Sequence, residues 1–169
     1  EQRLTPRTRA IVPVHTYGNV CDMDEINALA ERRGIPVIED AAEALGSRHK
    51  GKLAGTVSRI GSFSFQATKT ITTGGGGMII TSDPTLYDKI ALYRSHGMLR
   101  KRYYWHEVPG LNFRLTNLQA ALGCAQLEKL DVIVAARKRL HARYLTAIAG
   151  INGVVPQVYK PHIEPVVWA

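Results

Sequence analysis

The chain of 169 residues is poor in cysteine, with two, and in aromatic side chains, at 7%. Cys21 and Cys124 are far apart and lack metal-ligand spacing, so neither a disulfide framework nor a cysteine metal site is expected. With no secretory signal visible, they read as reduced cytosolic thiols with packing roles. No run reaches eighteen apolar residues, so no membrane span is expected. Acids are scarcer than bases, 14 against 22, for a net charge of +8. That balance suits anionic partners such as phosphates or nucleotides, and it equally suits a solvated basic surface. There is no P-loop: that motif needs Gly-x-x-x-x-Gly-Lys-Ser/Thr, and here Lys69 precedes the glycines Gly74 to Gly77. No Gly-x-Gly-x-x-Gly opens a helix, and no internal repeat or low-complexity segment is present. The chain begins at Glu1 and reads as a piece of a longer one.

What is present is an alternation of strand and helix signals. "AIVPVH" (10–15) predicts a buried strand. Asp22 is set to cap a helix with the apolar stripe Ile26, Leu29 and Ala30, stopped at Gly34. "IPVIED" (35–40) predicts a second strand, parallel to the first because a helix separates them. Residues 46–56 read as a polar loop or small hairpin, and "IGSFSF" (60–65) and "GMIIT" (77–81) as strands. Asp83-Pro84 opens a helix. Residues 96–114 form a long basic and aromatic loop. Thr116 to about Ala149 predicts two helices meeting near Asp131, and the tail from Ile151 is extended.

Two positions attract chemistry. Asp40 ends a buried strand, where open parallel sheets hold their sites; it would need a cationic partner, or it caps the turn that follows. Lys69 follows the 60–65 strand; a lysine in a tight, partly desolvated pocket becomes a nucleophile, although most lysines are simply exposed. The glycines allow the chain to turn back beside it without side-chain crowding.

"VHTYGNVCDMDEI", "VIEDAAEALGS", "GSFSFQATKTITTGGGGMIIT" and "LNFRLTNLQAALGCAQLEKLD" occur in this order. Together they resemble the DegT/DnrJ/EryC1/StrS sugar aminotransferases, pyridoxal-phosphate (PLP) enzymes of fold type I. "RKRYYWHEVPGLNFRLTNLQAALG" is most similar to the GDP-perosamine synthase branch. The resemblance implies a three-layer α/β/α large domain of the aspartate aminotransferase fold with a mostly parallel sheet. Residues 1–150 would belong to it, and 151–169 would start a small C-terminal domain.

By the same resemblance, Lys69 matches the lysine that bonds PLP, and Asp40 the partner of the pyridine nitrogen. Ser64 matches a phosphate ligand. Glu43 stands where many relatives carry glutamine facing the ring hydroxyl. Asn112 matches the asparagine that reaches the phosphate of the partner subunit's cofactor, which implies a homodimer. His15 falls near the cofactor edge, or is a structural histidine at a strand end. Arg102, Tyr104, Trp105 and Arg114 lie in a loop whose residue types suit a sugar diphosphate and a base, or an ordinary basic surface. No nucleic-acid fold signature accompanies that loop.

The implied reaction is transfer of an amine from L-glutamate to a nucleotide-linked keto sugar, GDP-4-keto-6-deoxymannose, in the cytoplasm. It would serve cell-surface polysaccharide or secondary-metabolite biosynthesis. Relatives that dehydrate the sugar carry histidine in place of Lys69. Gly75 replaces the acid of the usual "TTGEGG", which keeps open a non-catalytic relative or a basic anion-binding domain. The resemblance also places a phosphate cradle and a ring-stacking aromatic in a preceding segment, so these residues alone are expected to be incomplete as a catalyst.

Overall fold

The computed structural model describes residues 1–168; Ala169, the last residue of the 151–169 segment, lies outside the described residues. The main sheet has the order β1 (Ile38–Asp40), β4 (Ile60–Ser64), β5 (Gly77–Ile80). β1 and β4 are parallel with Asp40 opposite Ser62, and β5 returns antiparallel to β4. A second sheet joins the hairpin β2 (Arg48–His49) and β3 (Lys52–Leu53) to β6 (Ile163–Glu164). The tail thus runs back onto the hairpin. The α/β class expected from the alternation of signals is the one observed.

The 10–15 segment lies alongside β1 in parallel, bridging at Ile11 with Val37 and at Val14 with Asp40. It forms no continuous ladder. Ile11 N–H donates to Pro36 O, and Ile38 and Asp40 N–H donate to Ile11 O and Pro13 O. The next donor along the segment falls at Pro13, which has no N–H. The expected buried strand is therefore an interrupted one with a single buried face: Pro13 and His15 are buried, while Val12 and Val14 are exposed.

α1 (Met23–Arg33) follows as expected, with Ala30 of its stripe in the core beside Val20, Met23, Val37, Ala41, Ala44, Ala54 and Ile163. α2 (Pro84–Arg94) is capped by Asp83, whose side chain accepts from the Thr85 and Leu86 N–H groups. α3 (Asn117–Leu127) opens on a capping box between Thr116 and Gln119, and α4 (Leu130–Ile148) follows. The break between them falls at Glu128 and Lys129, just before the expected Asp131.

Successive side chains of a strand point to opposite faces. The acids that end β1 therefore separate: Asp40 shares one face with Ser62 and Ser64, and Glu39 points the other way. Glu39 is fully buried. Its Oε1 accepts from Val57 N–H (2.8 Å), Ser58 N–H (2.6 Å) and Ser58 Oγ (3.0 Å); its Oε2 accepts from Gly55 N–H (2.8 Å) and meets His15 Nε2 at 3.0 Å. The 55–58 backbone thus wraps the carboxylate. It lies so close that a Cβ on Gly61 would overlap the Gly55 carbonyl oxygen.

Burial works against ionised Glu39, but the hydrogen bonds from His15, Gly55 and Ser58 outweigh it and lower its pKa. Burial likewise opposes a charged His15, yet the contacts with Cys21 and Glu39 more than offset it and raise its pKa to about 9. The Cys21 N–H lies 3.3 Å from His15 Nδ1, a long contact that a proton on Nδ1 would displace.

Because Glu39 is depressed, its contribution is present above the ordinary value of 4.5 and is lost as pH falls below it. Because His15 is raised, its contribution is full below 6.5 and is lost as pH rises toward about 9. Glu39→Gln in the full-length protein should cost roughly 3 kcal/mol or more and flatten the acid limb of stability. Denaturant unfolding from about pH 2 to pH 7 checks this; an unchanged acid limb would mean that Glu39 carries no ionised load.

Candidate active site

The loop between β4 and β5 carries Lys69. Phe65 N–H donates to Gly76 O and Thr73 N–H to Phe65 O, which closes the loop at its neck. A Cβ on Gly77 would overlap the Phe63 carbonyl oxygen, and one on Gly76, at φ +96°, would strike Leu115. These two positions need glycine. Gly74 and Gly75 face open space, so the glycine at 75 is not imposed by crowding.

The Lys69 side chain is 15% exposed. Its Nζ lies 3.5 Å from Glu43 Oε1 and 4.3 Å from the Trp168 ring centroid. Glu43 Oε2 accepts from Tyr17 N–H at 2.8 Å. Tyr17, in a left-handed backbone conformation, stacks on Trp168 at 5.6 Å. Trp168 is fastened in turn: its Nε1–H donates to Thr68 O at 3.0 Å, and Arg137 Nη1 of α4 donates to its carbonyl at 2.5 Å. The amine is thus sheltered by a carboxylate and an aromatic face supplied by distant parts of the chain.

Asp40 and Ser64 end the parallel strands β1 and β4 on one face of the sheet. Asp40 Oδ1 accepts from Ala42 N–H at 3.1 Å, so it does hold the following turn, while its other oxygen has no hydrogen-bond partner among the described residues. Ser64 Oγ accepts from Gln66 N–H at 3.3 Å, and its own proton has no acceptor among the described residues. Lysine, carboxylate and hydroxyl all belong to the carboxyl ends of the strands or the loop that leaves them, where open α/β sheets bind ligands.

Other expected residues lie apart. His15 is sealed in the core against Glu39, with no surface to offer a substrate. Alternation places it with Pro13 on the buried face, opposite the exposed Val12 and Val14. Asn112 is exposed and bridges Ser95. Arg102 stacks on Trp105 at 3.9 Å, and Tyr104 is 86% exposed. Arg114 borders a cavity of about 610 Å³ between α2 and the loop, together with Asp88, Arg100 and Tyr103. Among the described residues, the Lys69 amine is paired with Glu43 and Trp168 and has no ion pair or cation–π contact with these four loop residues. The sequence reading missed Glu39, Tyr17 and Trp168. Glu39 was legible as the inward partner of Asp40 by period-two alternation; Trp168 had no local signal, because it meets Lys69 only by tertiary contact.

A mixed sheet with Asp40 and Ser64 at the carboxyl ends of β1 and β4 and a sheltered lysine in the loop that leaves β4 places its polar groups where α/β proteins bind ligands. The DegT/DnrJ/EryC1/StrS aminotransferase family model matches residues 1–169, and the chain belongs to that family. It is 48% identical over 163 residues to a GDP-perosamine synthase of Caulobacter vibrioides, covering 96% of this chain and 43% of that protein. It is 41% identical over 167 residues to the dTDP-3-amino-3,4,6-trideoxy-alpha-D-glucose transaminase of Streptomyces venezuelae, covering 98% and 44%. The crystal structure of S. venezuelae DesV in complex with a ketimine intermediate superposes with a TM-score of 0.91 at 40% identity, over 97% of this chain and 44% of that one. The chain therefore spans less than half the length of the curated relatives it matches.

The glycine run gives a direct check. Gly75→Glu should change stability by no more than about 0.5 kcal/mol, as at an open surface position, whereas Gly77→Val should destabilise by roughly 1–3 kcal/mol through overlap with the Phe63 carbonyl. Thermal unfolding of both full-length variants distinguishes them; equal effects would contradict the packing described.

Proposed function

We propose that the protein containing this chain is a PLP-dependent aminotransferase that moves an amino group from L-glutamate to a GDP-linked 4-keto-6-deoxy sugar. It works as a homodimer with shared active sites, in the cytoplasm. The observation that carries the reading is the sheltered Lys69 amine in the loop that leaves the carboxyl end of β4.

The residues present fit PLP by the chemistry of their donor set: an amine for its aldehyde, a carboxylate with an uncommitted oxygen for its ring nitrogen, and a hydroxyl with an uncommitted proton for its phosphate. When bound, PLP supplies an electron sink for the carbanion formed on the amino donor. Asp40 would hold the proton on the ring nitrogen, and Ser64 would donate to the phosphate and keep the reacting carbon in register. Glu43 would face the ring hydroxyl. Lys69 Nζ would hold the cofactor covalently at rest; once freed by the incoming donor, it would carry the proton between donor carbon and cofactor carbon. Glutamate would leave as 2-oxoglutarate, and the keto sugar would gain the amine.

The choice of nucleotide rests on the likeness to GDP-perosamine synthases and on the 96–114 loop. Arg100, Lys101 and Arg102 can neutralise a diphosphate, and Tyr103, Tyr104 and Trp105 offer flat faces to a base or sugar. The homodimer is supported by Leu111, Phe113 and Leu118, which are exposed around Asn112 and the start of α3. A second subunit would cover them and receive Asn112 at its cofactor. Residues 151–169 would lead into the small domain.

A panel of GDP-, UDP- and dTDP-linked 4-keto sugars, supplied with glutamate and the full-length protein, tests this through 2-oxoglutarate release. Turnover is expected with the GDP sugar. Lys69→Ala should lower it by roughly 10²–10⁴-fold, and Asp40→Asn by on the order of 10²-fold. Preference for a UDP or dTDP sugar would overturn the nucleotide assignment, and wild-type rates in Lys69→Ala would overturn the site.

A further inference from the structure

Away from Lys69, three side chains converge, two of them imidazoles with an unsatisfied ring nitrogen. Asp22, His49 and His162 each place a ligand-capable atom within 4.8 Å of the others. Nε2 of His49 and Nε2 of His162 are both buried without a hydrogen-bond partner among the described residues. The two rings meet edge-to-face at 5.0 Å. A buried imidazole nitrogen without a partner is costly, so two of them facing one carboxylate require an explanation.

Asp22 supplies an independent sign. It stands at the N-cap of α1, yet its side chain makes no capping bond. It turns instead toward the histidines, with Oδ1 at 3.9 Å from His49 Nε2 and Oδ2 at 3.0 Å from Lys160 Nζ. Lys160 therefore occupies one carboxylate oxygen and leaves the other directed at the imidazoles.

We propose that Asp22, His49 and His162 form a binding site for a divalent transition-metal ion of the zinc class. Two imidazole nitrogens and one carboxylate oxygen are a donor set that suits zinc, and poorly suits magnesium or calcium. Tetrahedral bonds of about 2.0–2.1 Å put ligand atoms about 3.3 Å apart, so the observed separations need to close by an ångström or so. The three ligands come from the start of α1, from β2 and from the residue before β6. His49 stands opposite Ile163 in the β2–β6 pairing, and Lys50 N–H donates to His162 O at 2.9 Å. The ion would fasten the returning tail to the hairpin that leads into the 55–58 segment around Glu39. The same tail carries Trp168 to Lys69, so the ion would support the candidate active site from a distance. Its three ligands are separate from the residues that would hold PLP, so the site stands whether or not the reaction proposed above is the right one.

The test uses the full-length protein stripped by a chelator and dialysed against Zn²⁺, with Co²⁺ as a visible-absorbance probe. About one ion per chain should bind, and Co²⁺ should show the intense visible bands of a tetrahedral site. His162→Gln and Asp22→Asn should each weaken binding by roughly 10-fold or more. Lys160→Ala, which removes the competing cation, should tighten it several-fold, an effect that misfolding cannot imitate. His106→Gln, at an exposed histidine elsewhere, should change nothing. Absence of stoichiometric zinc, loss of binding in His106→Gln instead of His162→Gln, or no gain in Lys160→Ala would each overturn the site.

Discussion

A carboxylate with no exposed surface has to be surrounded by donors, and Glu39 organises its neighbourhood by that requirement. It draws in the 55–58 backbone, the Ser58 hydroxyl and the His15 ring, and each contact fixes a different piece of chain. The His15 bond holds the 10–15 segment against β1 where Pro13 has removed a ladder bond. The Gly55, Val57 and Ser58 bonds hold the connection between the hairpin and β4. Replacing such a group by a well-packed apolar one would spare the desolvation cost, but it would leave the 55–58 amides without acceptors.

The consequence for function is a division of labour across one strand. With Glu39 committed to the inner face, period-two alternation commits Asp40 to the outer one, beside Ser62 and Ser64. Parallel pairing then brings the ends of β1 and β4 together, and the loop leaving β4 carries Lys69. The close approach of Gly77 to the Phe63 carbonyl fixes where that loop turns back. The lysine is thereby held near strand ends whose register is set from the opposite face.

Much of this was legible in the residues. The helix after Asp22, the second strand of the strand-helix-strand unit and the Asp83-Pro84 and Thr116 helix starts follow from local signals and are present; of the two readings of residues 46–56, polar loop or small hairpin, the structure has the hairpin. Two features were not legible for physical reasons. "AIVPVH" carries enough β-branched residues to read as a buried strand, but its proline interrupts the ladder and only one of its faces is covered. The Tyr17–Trp168–Lys69 cluster depends on a contact spanning most of the chain, which no periodicity can reveal. His15 illustrates a third case. A histidine at a strand end near a site is ambiguous until alternation is combined with the identity of the facing residue, and here that residue is Glu39.

The account turns on Lys69 being the residue that bonds the cofactor. Borohydride reduces the carbon–nitrogen double bond that joins PLP to a lysine and makes the attachment permanent. Treating the PLP-loaded full-length protein in this way, followed by peptide mapping, should place the pyridoxyl label on Lys69 in the peptide that follows "SFSFQAT". A label on Lys50, Lys52 or any other lysine would contradict the account.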